Sequence, residues 1–258
     1  MIPVKTPQEI EIMKEGGKIA AAVREEVLNG AKVGVSTLEL DALAEKLILS
    51  AGGKPSFKGF GDYPFATCIN VNEGIVHGLP SARGGLKGGD ILTVDLGVFY
   101  KGLHTDTART MEVGSSKLEA GKEARSWKLE EFLNTGQKAL EKAIEQCQVG
   151  KHVGDTSYAI QTAIEGAGYN VARELGGHGV GRKLHEPPFI SGLGQPGEGP
   201  VLKEGMTLAI EVIYARGNGK IEVLNDGWTV VAIDGSVAGL FEHTVAVTKG
   251  GPIVLTEV

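Results

Sequence analysis

The feature that most constrains the fold is a weak internal repeat with one constant offset of 116 residues. The aligned segments are Val33-Gly34 with Val149-Gly150, Ala51-Gly52 with Ala167-Gly168, Leu86-Lys87-Gly88-Gly89 with Leu202-Lys203-Glu204-Gly205, and Leu92-Thr93-Val94-Asp95 with Leu208-Ala209-Ile210-Glu211. Each match is weak alone, but chance does not explain a single offset held over such a span. The repeat predicts two similar halves, in which Asp95 and Glu211 are equivalent and converge on one central site.

Each half reads as two helices followed by strands. Thr6 with Glu9 and Ser36 with Glu39 are capping-box pairs, and they predict helices over 6–28 and from 36 to the glycines at 52–53. Further helices are expected over 117–146 and 155–166, the latter capped by Asp155 or Thr156. Strands with β-branched enrichment are predicted at 66–72, 91–100, 103–113, 171–174, 207–215, 220–223, 228–233 and 242–248. The chain of 258 residues is therefore expected to form a single α+β domain with ααβ halves at about 1–116 and 117–258, related by a pseudo-two-fold axis.

Charge and composition exclude several classes of function. A net charge of −6 gives no reason to expect a nucleic-acid partner. No run of about 18 apolar residues predicts a membrane span, and the N-terminus has no signal-peptide pattern. Two cysteines make no disulfide framework, which is typical of a reducing compartment. We expect a cytoplasmic protein, and nothing in the sequence demands more than a monomer.

Residues 176–188 form a glycine-rich segment that contains two histidines, His178 and His185. Histidine ligates metals and carries protons near neutral pH, and glycine permits close backbone approach. A flexible surface loop with two exposed histidines is the alternative interpretation. Acidic residues elsewhere in the chain decide between a functional site and a surface loop.

Four carboxylates lie inside otherwise apolar, strand-like runs. They are Asp95, Asp106, Glu211 and Glu242. A carboxylate buried as an ion is costly without compensation, and four together would repel one another. Two divalent cations resolve both problems, so four carboxylates and one histidine suit a dinuclear site. The alternative for each acid alone is exposure on an amphipathic strand, which becomes improbable when all four are taken with the repeat.

Other motifs are missing. The cysteine count excludes a zinc finger. No P-loop is present, and the glycines at 177–181 do not follow the dinucleotide-binding register.

The ordered motifs resemble the type I methionine aminopeptidases, within the creatinase-like metallopeptidases that share the pita-bread fold. The similarity extends from Thr6 to about Thr248. Its most specific stretches are 72–80 (NEGIVHGLP), 94–97 (VDLG), 104–107 (HTDT), 177–181 (GHGVG), 185–188 (HEPP), 226–229 (DGWT) and 241–244 (FEHT). The resemblance implies a central antiparallel sheet and the removal of initiator methionine from nascent chains with a small second residue. It also implies nascent polypeptide N-termini as partners, with the ribosome as a further candidate.

Roles carried over from the resemblance concern the metals and the reaction. The implied ligands of two divalent ions (cobalt, manganese, iron or zinc) are Asp95, Asp106, His178, Glu211 and Glu242. Asp106 and Glu242 would bridge the metals, and Glu211 would also shuttle a proton. His185 would hold the scissile carbonyl, and His77 would contact the first peptide nitrogen. The implied lining of the methionine pocket is Phe60, Tyr63, Cys68, Leu184 and Trp228, among which Tyr63, Cys68 and Trp228 also fit ordinary core positions.

The sequence departs from the family pattern at several positions. Val212 stands where a proline is usual after the glutamate, Val76 replaces a cysteine, and Leu184 replaces a phenylalanine. These changes make strict methionine selectivity less secure than peptidase activity. Residues 115–135 look longer than the usual connection, which we interpret as a surface elaboration. Two rival functions follow: an X-Pro-cleaving aminopeptidase of the same fold, which normally carries an added N-terminal domain, and a non-catalytic binding protein, which usually loses metal ligands.

Overall fold

The computed structural model describes residues 2–114 and 123–258. The helices are α1 (Pro7–Gly30), α2 (Thr37–Ser50), α3 (Glu123–Glu145) and α4 (Val153–Gly166). The strands are β1 (Lys54–Pro55), β2 (Thr67–Val71), β3 (Gly74–Val76), β4 (Ile91–Tyr100), β5 (Leu103–Glu112), β6 (Asn170–Val171), β7 (Gly176–Gly179), β8 (Glu186–Ser191), β9 (Thr207–Ala215), β10 (Ile221–Val223), β11 (Val230–Ala232), β12 (Ala238–Thr248) and β13 (Gly251–Val254).

The predicted repeat is present in the element boundaries. A shift of 116 residues carries the first residues of α1, α2 and β4 onto the first residues of α3, α4 and β9. The correspondence ends after β9, where β10 and β11 are inserted before β12. The boundary between the halves near residue 116 stays a prediction, because residues 115–122 lie outside the described part. The same holds for the interpretation of the first part of the 115–135 segment; from residue 123 onward that segment belongs to α3.

Local capping chemistry explains where the helices begin. The Glu9 backbone N–H donates to Thr6 Oγ1 at 3.2 Å, and the Thr6 N–H donates to the Glu9 carboxylate at 2.8 Å. Ser36 and Glu39 form the same reciprocal box for α2. The prediction for α4 was wrong by two residues: the helix begins at Val153, because the Asp155 side chain reaches back to accept the N–H of the preceding cap residue.

One large sheet spans both halves. Its strand order is β1-β4-β5-β12-β9-β7-β8, with β2 paired to β4, β6 to β9 and β13 to β12, and every pairing is antiparallel. β4 and β5 form a hairpin that turns at Lys101 and Gly102, both with positive φ. β10, β11 and β3 form a separate three-stranded sheet. This is the predicted α+β pita-bread architecture around a central antiparallel sheet.

Strand alternation separates the structural core from the functional face. The side chains that pack against the helices are Leu92, Val94, Leu96 and Val98 on β4 and Leu208, Ile210, Val212 and Tyr214 on β9. Successive side chains on a strand point to opposite faces, so Asp95 and Glu211 point away from the helices. The apolar core therefore covers one face of the sheet and leaves the acids on the other.

A glycine in α3 serves packing and does not interrupt the helix. α3 continues without interruption through residues 134–136, which include Gly136. A Cβ on Gly136 would lie 2.5 Å from the ring of Phe241 and 2.6 Å from the hydroxyl of Tyr214. The glycine thus allows the helix to approach the sheet closely.

Short strands were the weakest part of the sequence interpretation. β1, β3, β7, β8 and β13 were not predicted, and the strand expected at 171–174 covers only Asn170–Val171. β12 begins at Ala238, four residues before the predicted start. Among the described residues, no helix combines the length and apolar character needed to cross a bilayer.

Candidate active site

The four acids and His178 occupy five consecutive strands of the large sheet. In sheet order they are Asp95 on β4, Asp106 on β5, Glu242 on β12, Glu211 on β9 and His178 on β7. Glu242 pairs directly with Glu211 across β12 and β9, while β7 places His178 opposite Ala209, two residues before Glu211. Strand register therefore gathers groups that lie up to 147 residues apart in the chain into one belt.

Glycines explain how His178 reaches this belt. A Cβ at Gly177 would collide with the carbonyl oxygen of Ala209 on β9, and a Cβ at Gly179 with that of Pro187. β7 lies closely between β8 and β9, so its backbone fits only where these residues carry no side chain. The glycine-rich segment is a strand at this point, and the alternative of a flexible loop is wrong for residues 176–179.

The ligand atoms of this cluster are close together. One side-chain oxygen or nitrogen each from Asp106, His178 and Glu242 lie within 4.8 Å of one another. His178 Nε2 is 3.5 Å from Glu211 Oε1. His178 Nδ1 lies 2.8 Å from the Gly179 carbonyl oxygen, which accepts hydrogen bonds only, so Nδ1 carries the proton and Nε2 presents its lone pair to the acids.

Burial and mutual repulsion disfavour the ionised forms of the acids in this cluster. Burial, together with the neighbouring carboxylates, raises the pKa of Asp95, Glu211 and Glu242 well above their usual range. Burial raises the pKa of Asp106 to about 7, against a backbone N–H of Thr107 that favours the charged form. Within the described part of the chain, Asp95 Oδ1 and Glu242 Oε1 are buried without a hydrogen-bond partner. Unpaired buried oxygens in a cluster of acids fit divalent metals, which prefer such hard donors.

Surrounding groups hold the acids in place. The Thr107 N–H donates to Asp106 Oδ1 at 3.0 Å, and the Asp106 N–H donates to Thr244 Oγ1 at 2.8 Å. Thr107 Oγ1 donates to the Glu242 carbonyl at 3.0 Å and accepts from the buried guanidinium of Arg24. Arg24 also lowers the pKa of Glu242, opposing the effect of burial.

A cavity of about 120 Å³ opens beside the acids. Its lining contains all twelve predicted site residues together with Phe57 and Val76. Tyr63 and Trp228 meet edge to face with centroids 5.0 Å apart, and the Tyr63 hydroxyl bonds the carbonyl oxygens of Thr67 and Gly78 at 2.9 and 3.0 Å. These bonds fix one apolar wall of the cavity. Burial raises the pKa of the Cys68 thiol, so it behaves here as a small apolar group.

Two further histidines lie at the cavity. The His185 ring meets the His178 ring edge to face at 4.3 Å and the half-exposed Phe60 ring at 5.0 Å. His77 follows β3 in the left-handed region at φ +58°, a conformation uncommon for a residue with a side chain. The cavity walls partly desolvate His77 and His185 and so lower the pKa of both, which favours neutral imidazoles near pH 7, while each residue keeps a solvent-exposed part.

Phe57 was not predicted to line the site. It lies in the glycine- and aromatic-rich segment before Tyr63, but no pattern in that segment separates it from its neighbours. A larger cavity of about 360 Å³ lies against α3, and its described lining residues include no acid or histidine. The acids and histidines that could catalyse a reaction therefore line the smaller cavity.

Comparison with known proteins gives a consistent family. Residues 11–249 match the model of metallopeptidase family M24. The chain is 42% identical to methionine aminopeptidase 1 of Bacillus subtilis over the whole length of both, and 38% identical to methionine aminopeptidase 1 of Mycobacterium tuberculosis over 99% of this chain and 95% of that one.

Solved structures agree with the sequence relatives. The crystal structure of methionine aminopeptidase from Thermotoga maritima superposes with a TM-score of 0.93, at 42% identity and complete coverage of both chains. The prolidase from Pyrococcus furiosus superposes with a TM-score of 0.74 at 26% identity, covering 99% of this chain and 65% of that one. The family match over most of the chain and the full-length relatives show that the chain belongs to the M24 family of metallopeptidases.

Proposed function

We propose that this protein is a methionine aminopeptidase, a metal-dependent hydrolase that removes the N-terminal methionine from polypeptides. The observation that carries the proposal is an apolar cavity adjoining a buried cluster of acids and histidines on one face of the sheet. Full-length relatives with this name support the same activity.

Two divalent cations are the proposed cofactors. Asp95, Asp106, His178, Glu211 and Glu242 would hold them. When bound, the cations would supply Lewis acidity and lower the pKa of the attacking water. Carboxylate-rich donors with one imidazole accept manganese, iron, cobalt or zinc, so availability selects the metal.

The cavity is proposed to bind the methionine side chain. Phe60, Tyr63, Cys68, Leu184 and Trp228 supply apolar and polarisable surface, and the Tyr63–Trp228 contact gives a fixed wall. An unbranched thioether fits such a site because it is flexible and apolar. Leu184 in place of an aromatic ring makes the cavity less tightly shaped on that side.

The remaining groups have proposed roles in proton and charge transfer. His185 donates a hydrogen bond to the carbonyl oxygen as negative charge develops there. Glu211 accepts the proton of the attacking water and passes it to the leaving amine as the C–N bond breaks. His77 orients the first peptide nitrogen from the rim of the cavity.

The physiological setting is also a proposal. Nascent polypeptide N-termini are the proposed substrates, met in the cytoplasm at the ribosome by a monomeric enzyme. Both cysteines, Cys68 and Cys147, are free and buried, which supports a reducing compartment. Sedimentation of the purified protein with and without ribosomes measures both the oligomeric state and the association.

A peptide panel tests the activity. Manganese-loaded protein should cleave Met-Ala and Met-Gly peptides at least about tenfold faster than Met-Leu and Met-Lys peptides, and it should accept norleucine in place of methionine. Mass spectrometry of the products gives the rates, and chelated protein serves as the control. Preferred cleavage of Ala-Pro peptides would support the X-Pro rival, for which the prolidase similarity is the structural ground. Stoichiometric metal binding without cleavage would support a non-catalytic protein.

A further inference from the structure

The segment before α1 reaches the loop that carries His185. The Lys5 backbone N–H donates to the Gly205 carbonyl at 2.6 Å, and the Lys5 ammonium donates to Glu186 Oε2. The side chains of Lys5 and Glu186 are 1% and 3% exposed. Among the ion pairs between described residues, this is the pair with both partners fully buried.

Glu186 closes a turn around His185. While Oε2 accepts from Lys5, Oε1 accepts the Lys183 backbone N–H at 3.0 Å. This hydrogen bond encloses Leu184 and His185. Leu184 lines the cavity, and His185 is proposed to bind the scissile carbonyl. The Glu186 carboxylate therefore fixes the short backbone segment from which the His185 ring projects.

Lys5 also contacts the beginning of the same loop. A Cβ on Gly181 would collide with Lys5 Cε, so the third glycine of the 177–181 motif leaves room for the lysine stem. The Gly181 carbonyl in turn accepts the N–H of His104 at 2.7 Å on β5. One buried lysine thus packs against both ends of residues 181–186.

A buried ion pair joins two segments only when its geometry is well defined. Removing a charge from water is costly, and the attraction within the pair offsets this cost only when both groups are held at fixed positions. An apolar contact would hold the segments together with less geometric precision. The ion pair therefore fixes the position of the backbone from which the His185 ring projects.

We propose that the buried Lys5–Glu186 ion pair positions the His185 imidazole for its contact with the scissile carbonyl. Lys5 and Glu186 are positioning residues, since neither touches the cavity. The inference rests on the proposed function of His185, and its test separates the two. The opposing view is that the pair only stabilises the fold.

A double-substitution cycle distinguishes placement from stability. Lys5→Met and Glu186→Gln each leave one buried charge unpaired, so each should lower both the melting temperature and kcat. The double variant has no lone charge and should recover most of the melting temperature. Its kcat should stay about 10- to 100-fold below wild type, with KM for a Met-Ala peptide within about twofold, because misplacement of a group that acts in the transition state affects kcat. Wild-type kcat in the stable double variant would overturn the proposal.

The exposed pair Arg182–Glu9 provides a matched control. It joins the same loop to the first turn of α1, directly after the segment that holds Lys5, and its arginine side chain is 49% exposed. Exposed pairs contribute little, so Arg182→Gln should leave kcat and the melting temperature close to wild type. A loss in Arg182→Gln equal to that in the double variant would show that kcat is sensitive to any lost contact between this loop and the N-terminal residues, and it would refute a specific role for the buried pair.

Ring placement can be measured without turnover. In metal-free protein, NOEs between the ring protons of His185 and Phe60 report the edge contact; His185→Ala assigns the signals. These NOEs should weaken in the double variant and persist in Arg182→Gln. Unchanged NOEs in the double variant would refute positioning. If wild-type protein cleaves no peptide, the proposed function fails, while the NOE comparison still tests whether the pair sets the ring.

Discussion

Replacing Asp106 by asparagine is expected to stabilise the metal-free protein above neutral pH. Asp106 is buried at the centre of the acid cluster, and its charge raises the pKa of Asp95, Glu211 and Glu242. Its own pKa is raised from 3.8 to about 7 by burial. Without metals, the folded protein must either keep this carboxyl protonated or ionise it in an unfavourable site.

The sign and size of the effect follow from proton linkage. A carboxyl with a raised folded-state pKa contributes fully to stability below pH 3.8, and that contribution is lost as pH rises to about 7. A shift of about 3 units corresponds to roughly 4 kcal/mol, since one unit is about 1.4 kcal/mol. Asparagine does not ionise, so the metal-free variant should exceed metal-free wild type by up to that amount at pH 8. For a chain of this size, the gain corresponds to about 8–16 °C in Tm.

Thermal unfolding of chelated protein at pH 4.5, 6, 7 and 8 measures this difference. Wild type should lose stability as pH rises, while Asp106→Asn should show a flatter profile. Glu130→Gln, at an exposed acid on α3, is the control and should follow wild type. With manganese present the order should reverse, because metal stabilises the protein that binds it. Equal pH profiles for metal-free wild type and Asp106→Asn would refute the account of a strained acid cluster.

Other substitutions test separate parts of the site. His178→Ala should weaken cobalt binding, measured by visible absorption. His185→Ala should keep the metal and lose about 10²- to 10³-fold in kcat, as for a lost oxyanion donor. Equal metal affinity in both variants would contradict the assignment of His178 as a ligand. Leu184→Phe should increase the preference for methionine over other long side chains in competition assays, and unchanged selectivity would place the determinant elsewhere. Gly177→Ala should lower Tm by several degrees, because its Cβ meets the Ala209 carbonyl; a wild-type Tm would show that β7 can shift.

Much of the fold could be predicted from local chemistry. The boxes at Thr6 and Ser36 begin helices because their hydroxyl and carboxylate partners lie three residues apart. β4 and β9 were predicted with the observed bounds, because apolar runs rich in β-branched residues mark them in the sequence. The 116-residue offset predicted the equivalence of two halves, since a repeated unit leaves its signal along the chain. The acids were recognisable because carboxylates are rare within apolar strands.

The arrangement of the site depended on contacts that no local pattern contains. β7 is a strand because Gly177 and Gly179 allow β8 and β9 to approach, which the sequence shows only as glycine richness. The Lys5–Glu186 pair joins residues 181 positions apart, and Phe57 lines the cavity from an irregular segment. Sequence periodicity reports which face a residue occupies within its own element. Tertiary structure decided which faces meet, because backbone approach, charge pairing and cavity shape depend on distances between residues far apart in the chain.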